Sequence, residues 1–277
     1  MELKNKLIIL ILVIILIKLI FTKYLYKEQF QNKQLIQKNI FQTAWKKNLP
    51  PIYSNIVSKL KKQNPEYKYH LYDDNDMEKF VKFYYPKYWK TFNMIAPEYI
   101  VAKSDYFRYM IIYHYGGVYF DLKSGSKVPL RDFIKPDDEM IVVKWKTKLN
   151  TIIDKAINWC VIARKGHPML KLVLDTIHNK ILNYSVKKDG VGKPGVLSLT
   201  GPKMFEKVIY DNIDKYNVTV YDNLIDNKLV YNYLDKNFYD PLLCSLYNKT
   251  KGMIGRCTHI AKKKKYSLLE TPIVNKN

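Results

Sequence analysis

The 277-residue chain carries 47 Lys and Arg against 25 Asp and Glu, a formal net charge of +22, with 47% apolar and 14% aromatic residues. That apolar share is ample for a packed core and excludes wholesale disorder or a fibrous protein. Among the cations, Arg108, Arg131, Arg164 and Arg256 are the four arginines; nucleic-acid readers use Arg for bidentate contacts, so a surplus that is nearly all Lys argues against a nucleic-acid partner.

Leu7 to Ile17 is an unbroken apolar run, followed by Lys18 and then Leu19, Ile20 and Phe21. A membrane-spanning helix needs about 20 residues, so this span is short. Thr22-Lys23-Tyr24 offers no small-x-small cleavage pattern, which favours an uncleaved signal-anchor transmembrane helix over residues 1–23, with Lys18 snorkelling to the interface. A buried core helix is the alternative. Two signals for orientation conflict: Lys23, Lys27, Lys33 and Lys38 after the span outnumber Lys4 and Lys6 before it, whereas the acceptor patterns beginning at Asn183, Asn217 and Asn248 suit a lumenal domain. The expectation is a single-pass type II protein of the ER, Golgi or an equivalent endomembrane. Cys160, Cys244 and Cys257 form no disulfide framework; Cys244 and Cys257 could bridge in an oxidising lumen, or all three could be free.

Residues 24–39 are polar and read as a stem, residues 40–261 as one globular domain, and residues 262–277 as a basic, mobile tail. In chain order, Ile40 to Thr43 predicts a strand and Ile52 to Gln63 a helix stopped by Asn64-Pro65. Tyr67 to Tyr72 alternates like a strand, and Asp73 to Asp76 supplies N-cap chemistry for a helix through Phe83. Strand, helix, strand, helix begins an α/β sheet. Pro97 and Gly116-Gly117 bracket a further helix on which Asp105 and Arg108, three apart, share a face with Val101 and Ile112. Val118 to Asp121 is then a buried strand ending in a carboxylate, where open α/β sheets place their ligands. Met140 to Trp145 and Asn158 to Ala163 predict strands and His167 to Leu182 a helix. Lys187 to Gly195 predicts a loop and Pro202 to Tyr210 a helix, with short strands at Val218 to Tyr221 and Leu229 to Leu234.

Four stretches resemble the glycosyltransferases whose sugar-binding region carries a DxD motif, the group typified by initiating α-1,6-mannosyltransferases and related to clostridial toxin transferases. They are Ile40 to Lys46; Asn64 to Tyr67 with Leu71 to Asp74; Ala102 to Tyr109 running into Tyr115 to Asp121; and Leu199 to Pro202. The resemblance covers roughly residues 40 to 205. It implies a GT-A fold, transfer of a hexose from a nucleotide-sugar donor (UDP- or GDP-hexose) to a glycan or glycoprotein acceptor with retention, and usually a divalent cation, Mn or Mg. By that resemblance Phe41, Gln42, Thr43 and Trp45 line the base pocket. Asp105 and Arg108 hold sugar hydroxyls and phosphate, Tyr119 and Asp121 belong to the motif strand, Thr200 and Gly201 lie by the donor sugar, and His259 touches the diphosphate or a metal with Asp121.

The chain departs from the motif in one place. Where the family has Asp-x-Asp, it has Asp121-Leu122-Lys123. Two carboxylates at that spacing clamp a hard dication; Lys123 removes a ligand and adds a cation, which puts the metal in question. Either Asp121 holds a metal with help from elsewhere, or Lys123 pairs with the diphosphate, or the chain is a catalytically inactive sugar-nucleotide or glycan binder. Gly190 to Gly195 matches G-x-G-x-x-G but follows a polar loop, holds Pro194 and sits in no β-α-β unit, so it is no dinucleotide site.

Overall fold

A computed structural model describes residues 12–22, 34–145, 155–234 and 266–276. In chain order the main elements are β1 (Asn39–Thr43), α1 (Pro51–Gln63), β2 (Lys68–Tyr72), α2 (Asp74–Tyr84), α3 (Pro86–Met94), α4 (Ile100–Tyr115), β3 (Gly117–Phe120), β4 (Gly125–Ser126), β5 (Met140–Trp145), β6 (Lys155–Ala156), β7 (Cys160–Ala163), α5 (Pro168–Leu182), α6 (Gly192–Leu199), α7 (Pro202–Tyr210), β8 (Thr219–Asp222) and β9 (Leu229–Val230).

The local causes match the sequence signals. Pro51 opens α1, Asp73 and Asp76 form a reciprocal capping box on α2, and the His167 ring accepts the Met169 N–H ahead of Pro168 at the start of α5. The chain turns from α4 into β3 through Gly116 (φ 68°) and Gly117 (φ 122°), a left-handed pair that a side chain would clash with: a Cβ on Gly116 would stand 2.5 Å from the Lys165 nitrogen. Two expectations change. Residues read as a loop before Gly195 form α6, whose first turn is Gly192-Lys193-Pro194-Gly195; Pro at an early helical position costs no hydrogen bond. Residues 86–94 add α3, opened by Pro86, which the sequence reading passed over.

A seven-stranded sheet runs β2-β1-β3-β7-β5, with β6 continuing along the edge of β5 that β7 holds and β8 on the other edge. Strands β2, β1 and β3 are parallel; β7 is antiparallel to β3 and to β5, and β8 is parallel to β5. By direction, therefore, β2, β1, β3, β5 and β8 agree, and only the β6–β7 return runs against them. The sheet is covered on both faces. Strand alternation sends Phe41, Tyr119 and Val161 into a core with α2 to α7, and Ile40, Val118, Phe120 and Ile162 into a second core with Leu60, Leu130 and Trp159.

The β6–β7 return is bulged. The six steps from Ala156 to Ile162 oppose the three from Lys144 to Ile141, so residues 157–159 cannot all pair with β5. The bulge turns Asn158 toward α4.

Residues 266–276, read as part of a mobile tail, are packed. The Ala96 N–H donates to the Ile273 carbonyl (2.8 Å), the Asn275 N–H to the Met94 carbonyl (2.8 Å), and Tyr99 Oη to the Thr271 carbonyl (2.7 Å), while Ile273 is fully buried. At the other end, residues 12–22 are helical, with apolar side chains from 45% (Val13) to 62% (Leu19) exposed. Among the described residues no helix is long and apolar enough to cross a membrane; Leu7 to Ile11 of the expected anchor lie outside them. Cys160 is free and buried, and Cys244 and Cys257 also lie outside the described residues.

Candidate active site at the end of β3

Period-two alternation puts Tyr119 and Asp121 on the face of β3 that α4 covers, and the i, i+3 spacing puts Asp105 and Arg108 on the face of α4 that looks back. They meet. Arg108 Nη2 lies 2.9 Å from Asp105 Oδ1 and Nη1 lies 3.2 Å from Asp121 Oδ1, with the guanidinium carbon 4.7 Å above the Tyr119 ring. The first pair is almost dry, each side chain 6% exposed, whereas Asp121 is 28% exposed and forms the mouth.

The supporting contacts come from α4 itself, the β6–β7 bulge and the α6–α7 junction. Arg108 Nη1 donates to the Asn158 carbonyl (2.5 Å) in the bulge, and Asn158 Nδ2 donates to Asp105 Oδ1 (3.0 Å) and to Tyr109 Oη (3.1 Å). Thr200 Oγ1 donates to Asp105 Oδ2 (3.3 Å), and Tyr109 Oη donates to the Thr200 carbonyl (3.2 Å). Asp105 thus accepts hydrogen bonds on both oxygens besides its ion pair. Burial nevertheless pushes its carboxyl up to about 6, because desolvation outweighs the pull of Arg108. Arg108 is raised as well: its own burial works against the charge, but Tyr119, Asp121 and Asp105 together hold the guanidinium protonated.

Asp121 is anchored through its backbone. Its N–H donates to the Trp159 carbonyl (2.9 Å), and Gln42 Nε2 donates to its carbonyl (3.1 Å), with Gln42 Oε1 accepting from Tyr69 Oη (2.9 Å). Its carbonyl also accepts the Ser124 N–H (2.7 Å), closing a turn, Asp121-Leu122-Lys123-Ser124, with Lys123 at the third position. Lys123 Nζ stands 4.8 Å over the Tyr231 ring, which is tilted against Trp159 at 5.5 Å.

Of the remaining expected base-pocket residues, Phe41 is buried in the helix-side core, stacked on His70 (4.8 Å), and Thr43 Oγ1 bonds Tyr119 Oη (2.9 Å). Trp45 is half-buried, edge-on to Tyr53 at 5.4 Å. Gly201 backs onto the site: a Cβ there would come 3.4 Å from Asp105 Oδ2. His259 lies outside the described residues. Asn158, Tyr231 and Tyr266 were not singled out from sequence. Tyr266 is raised by burial and then by Asp105, Tyr231 and Asp121, which marks it as a neighbour of the mouth. No local pattern announces them; each reaches the site through a bulge or a distant return of the chain.

Residues 50–141 match the family described as "Glycosyltransferase sugar-binding region containing DXD motif". The matched stretch contains Asp105, Arg108, Asp121 and Lys123, while Asn158 and Thr200 lie beyond it. The chain is 24% identical over 216 residues to the initiation-specific alpha-1,6-mannosyltransferase of Candida albicans, covering 67% of this chain and 55% of that one. It is 38% identical over 94 residues to the mannosyl phosphorylinositol ceramide synthase SUR1 of Saccharomyces cerevisiae, covering 34% of this chain and 24% of that one. The chain therefore spans about half or less of the length of these curated relatives. Its fold resembles the ligand-free glycosyltransferase domain from the YGT toxin, with a TM-score of 0.50 at 9% identity over 84% of this chain and 91% of that one.

Among the described residues, which leave out His259, the donor set does not fit the divalent cation that a DxD motif implies. Hard dications take about six oxygen ligands. Here the turn supplies one carboxylate, Asp121, whose Oδ1 already faces Arg108 and Tyr119 Oη (3.4 Å), and its second motif position is an ammonium. Among the described residues no group of three or more His, Cys, Asp or Glu side chains could hold a metal.

Proposed function

We propose that the chain is a glycosyltransferase that moves a hexose from a UDP- or GDP-hexose to a glycan, glycoprotein or glycolipid acceptor, with retention at the anomeric carbon. The observation that carries this is the convergence of Asp105, Arg108 and Asp121 at the C-terminal end of β3. The names of the relatives favour mannose as the sugar and a membrane-borne acceptor.

In this reaction the bond between the anomeric carbon and the diphosphate oxygen breaks, and its electron pair leaves with the diphosphate. The acceptor hydroxyl oxygen bonds to that carbon, and its proton passes to the departing phosphate oxygen. Negative charge grows on the diphosphate, so a fixed cation aimed there is the main electrostatic help. Arg108 is such a group: it is held by four acceptors and needs no reorganisation as the charge develops. Asp105 sets the tilt of Arg108, and partly exposed Asp121 is positioned to accept from sugar hydroxyls. Thr200 and Gly201 border the same pocket, and Gln42 fixes the Asp121 backbone; Phe41 and Thr43 on β1, and Trp45 just after it, support the base end of the donor site.

The apolar, exposed 12–22 helix supports anchoring to an endomembrane through the N-terminal segment, with the domain beyond a stem. The test is to incubate the full chain with a panel of nucleotide hexoses and an acceptor and to follow released nucleoside diphosphate and the anomeric configuration of the product. Turnover with at least one donor is expected. A second reading, a donor-binding protein without transfer, is favoured by Lys123 and predicts donor binding with no release under any condition.

A further inference from the structure

Charge balance at the β3 turn points beyond a generic DxD site. Arg108 and Lys123 match Asp105 and Asp121, so these four side chains carry no net charge. A carboxylate at position 123 would leave the same cluster with two surplus negative charges, which is the amount one divalent cation neutralises. Lys123 therefore does in one substitution what a dication does for a paired-carboxylate turn.

The geometry agrees with the charge count. The Ser124 N–H to Asp121 carbonyl bond (2.7 Å) closes a turn in which residues 121 and 123 flank one another, so the ammonium leaves the same loop as the Asp121 carboxylate. Lys123 is held from both sides: its carbonyl accepts the Tyr233 N–H (2.9 Å), and its ammonium lies 4.8 Å over the Tyr231 ring. The next residue fastens that ring's own backbone, Ser124 Oγ donating to the Tyr231 carbonyl at 2.5 Å. A cation over an aromatic face keeps its charge while the side-chain entropy of a long lysine is already reduced. Tyr266 joins Tyr231 at the mouth, and its segment is tied down through Leu269 to Asn275.

Resting on the transferase reading above, we propose that Lys123 replaces the second metal-binding carboxylate, and that Arg108 and Lys123 bind the donor diphosphate without a divalent cation. The bond changes are those already given, with the electron pair arriving on a diphosphate held by one guanidinium and one ammonium. Lysine suits the task as a point charge against phosphate oxygens.

The test is binding of UDP and of GDP to the full chain by calorimetry, in EDTA and in Mn²⁺, with donor turnover measured in parallel and thermal melts checking that each variant folds. Wild type is expected to bind one of the two with the same affinity, within about twofold, in EDTA and in Mn²⁺. Lys123→Met should weaken binding in EDTA by about ten- to a hundredfold, the loss of one charged contact, and Lys123→Arg should keep most of it. Lys123→Asp should lose binding in EDTA and regain it on adding Mn²⁺, a gain that a merely structural role for Lys123 does not predict. Wild-type binding that collapses in EDTA overturns metal-free clamping, as does a Lys123→Met protein that binds like wild type. Diphosphate binding in EDTA with no turnover of any donor leaves the clamp standing and overturns the transferase reading instead; no binding in either condition overturns both.

Discussion

Asp105 is held by one cation and two neutral hydrogen-bond donors and Asp175 by two cations and one, yet the fold drives them in opposite directions. Asp175, on α5, takes Lys171 one turn earlier on the same helix, Lys87 at 3.2 Å and Tyr88 Oη at 2.7 Å, with its side chain 33% exposed. Burial tends to raise it, but Lys171, Tyr88 and Lys87 together win and hold it down to about 2. Asp105 has Arg108, Asn158 and Thr200, and rises to about 6 because almost no water reaches it. The same chemistry fastens one surface helix to another in the first case and keeps a charged pair poised for a ligand in the second. Solvent access, and a second cation at Asp175, separate them.

The comparison can be broken most forcefully at the mouth. Asp121→Asn should lower donor turnover by about 10²- to 10³-fold with circular dichroism unchanged, since Asp121 is anchored through its backbone; wild-type turnover would mean that the site lies elsewhere. Next is Arg108→Met, which strands Asp105 dry beside the Tyr119 ring. Removing one partner of a buried pair costs about 3–5 kcal/mol, so chemical denaturation should show a large loss, and a loss below about 1 kcal/mol would mean that the pair is wetter than its 6% exposure implies.

A pH series sharpens the contrast. The folded pKa of Asp105 lies above its usual value, so between about pH 4 and 6 the folded state holds a proton that the unfolded chain has released. Stability from this group therefore rises as pH falls through that window, while turnover falls, because neutral Asp105 no longer orients Arg108. Asp175 has the opposite sign: its stabilisation is complete above about pH 4 and is lost as pH falls toward 2. Asn158→Ala removes a hydrogen bond that favours the Asp105 anion, so the acid limb of the kcat/KM profile should move to higher pH; an unmoved limb would assign it to another group. The smallest effect is expected from Asp175→Asn: about 1 kcal/mol of stability after screening, read as a small drop in Tm, with donor turnover unchanged.

Much of this site was visible as spacing. The Asp105–Arg108 interval and the Gly-Gly-Val-Tyr-Phe-Asp run identify a helix face and a strand end, because helical and strand periods are local properties of the backbone. Asn158 was not visible: it reads as the first residue of a strand, and only the mismatch between the two β5 registers turns it inward. The packed Tyr266 segment was hidden for a different reason. Its lysine-rich run describes the residues before it, whereas Ile273 and Val274 find their place only by pairing across to Ile95 and Ala96.

The sequence by itself determined the alternation of strands and helices, the caps that start and stop them, the paired charges on α4, and the replacement of a motif carboxylate by Lys123, because each depends on residues within a few positions of one another. Tertiary structure alone decided which charges share a dry corner, that Asp105 rises while Asp175 falls, and which aromatic ring receives the Lys123 ammonium. Those outcomes depend on solvent exclusion and on contacts between distant segments, as between Ser124 and Tyr231, 107 residues apart, and no local pattern encodes how much water a folded surface will leave at a given atom.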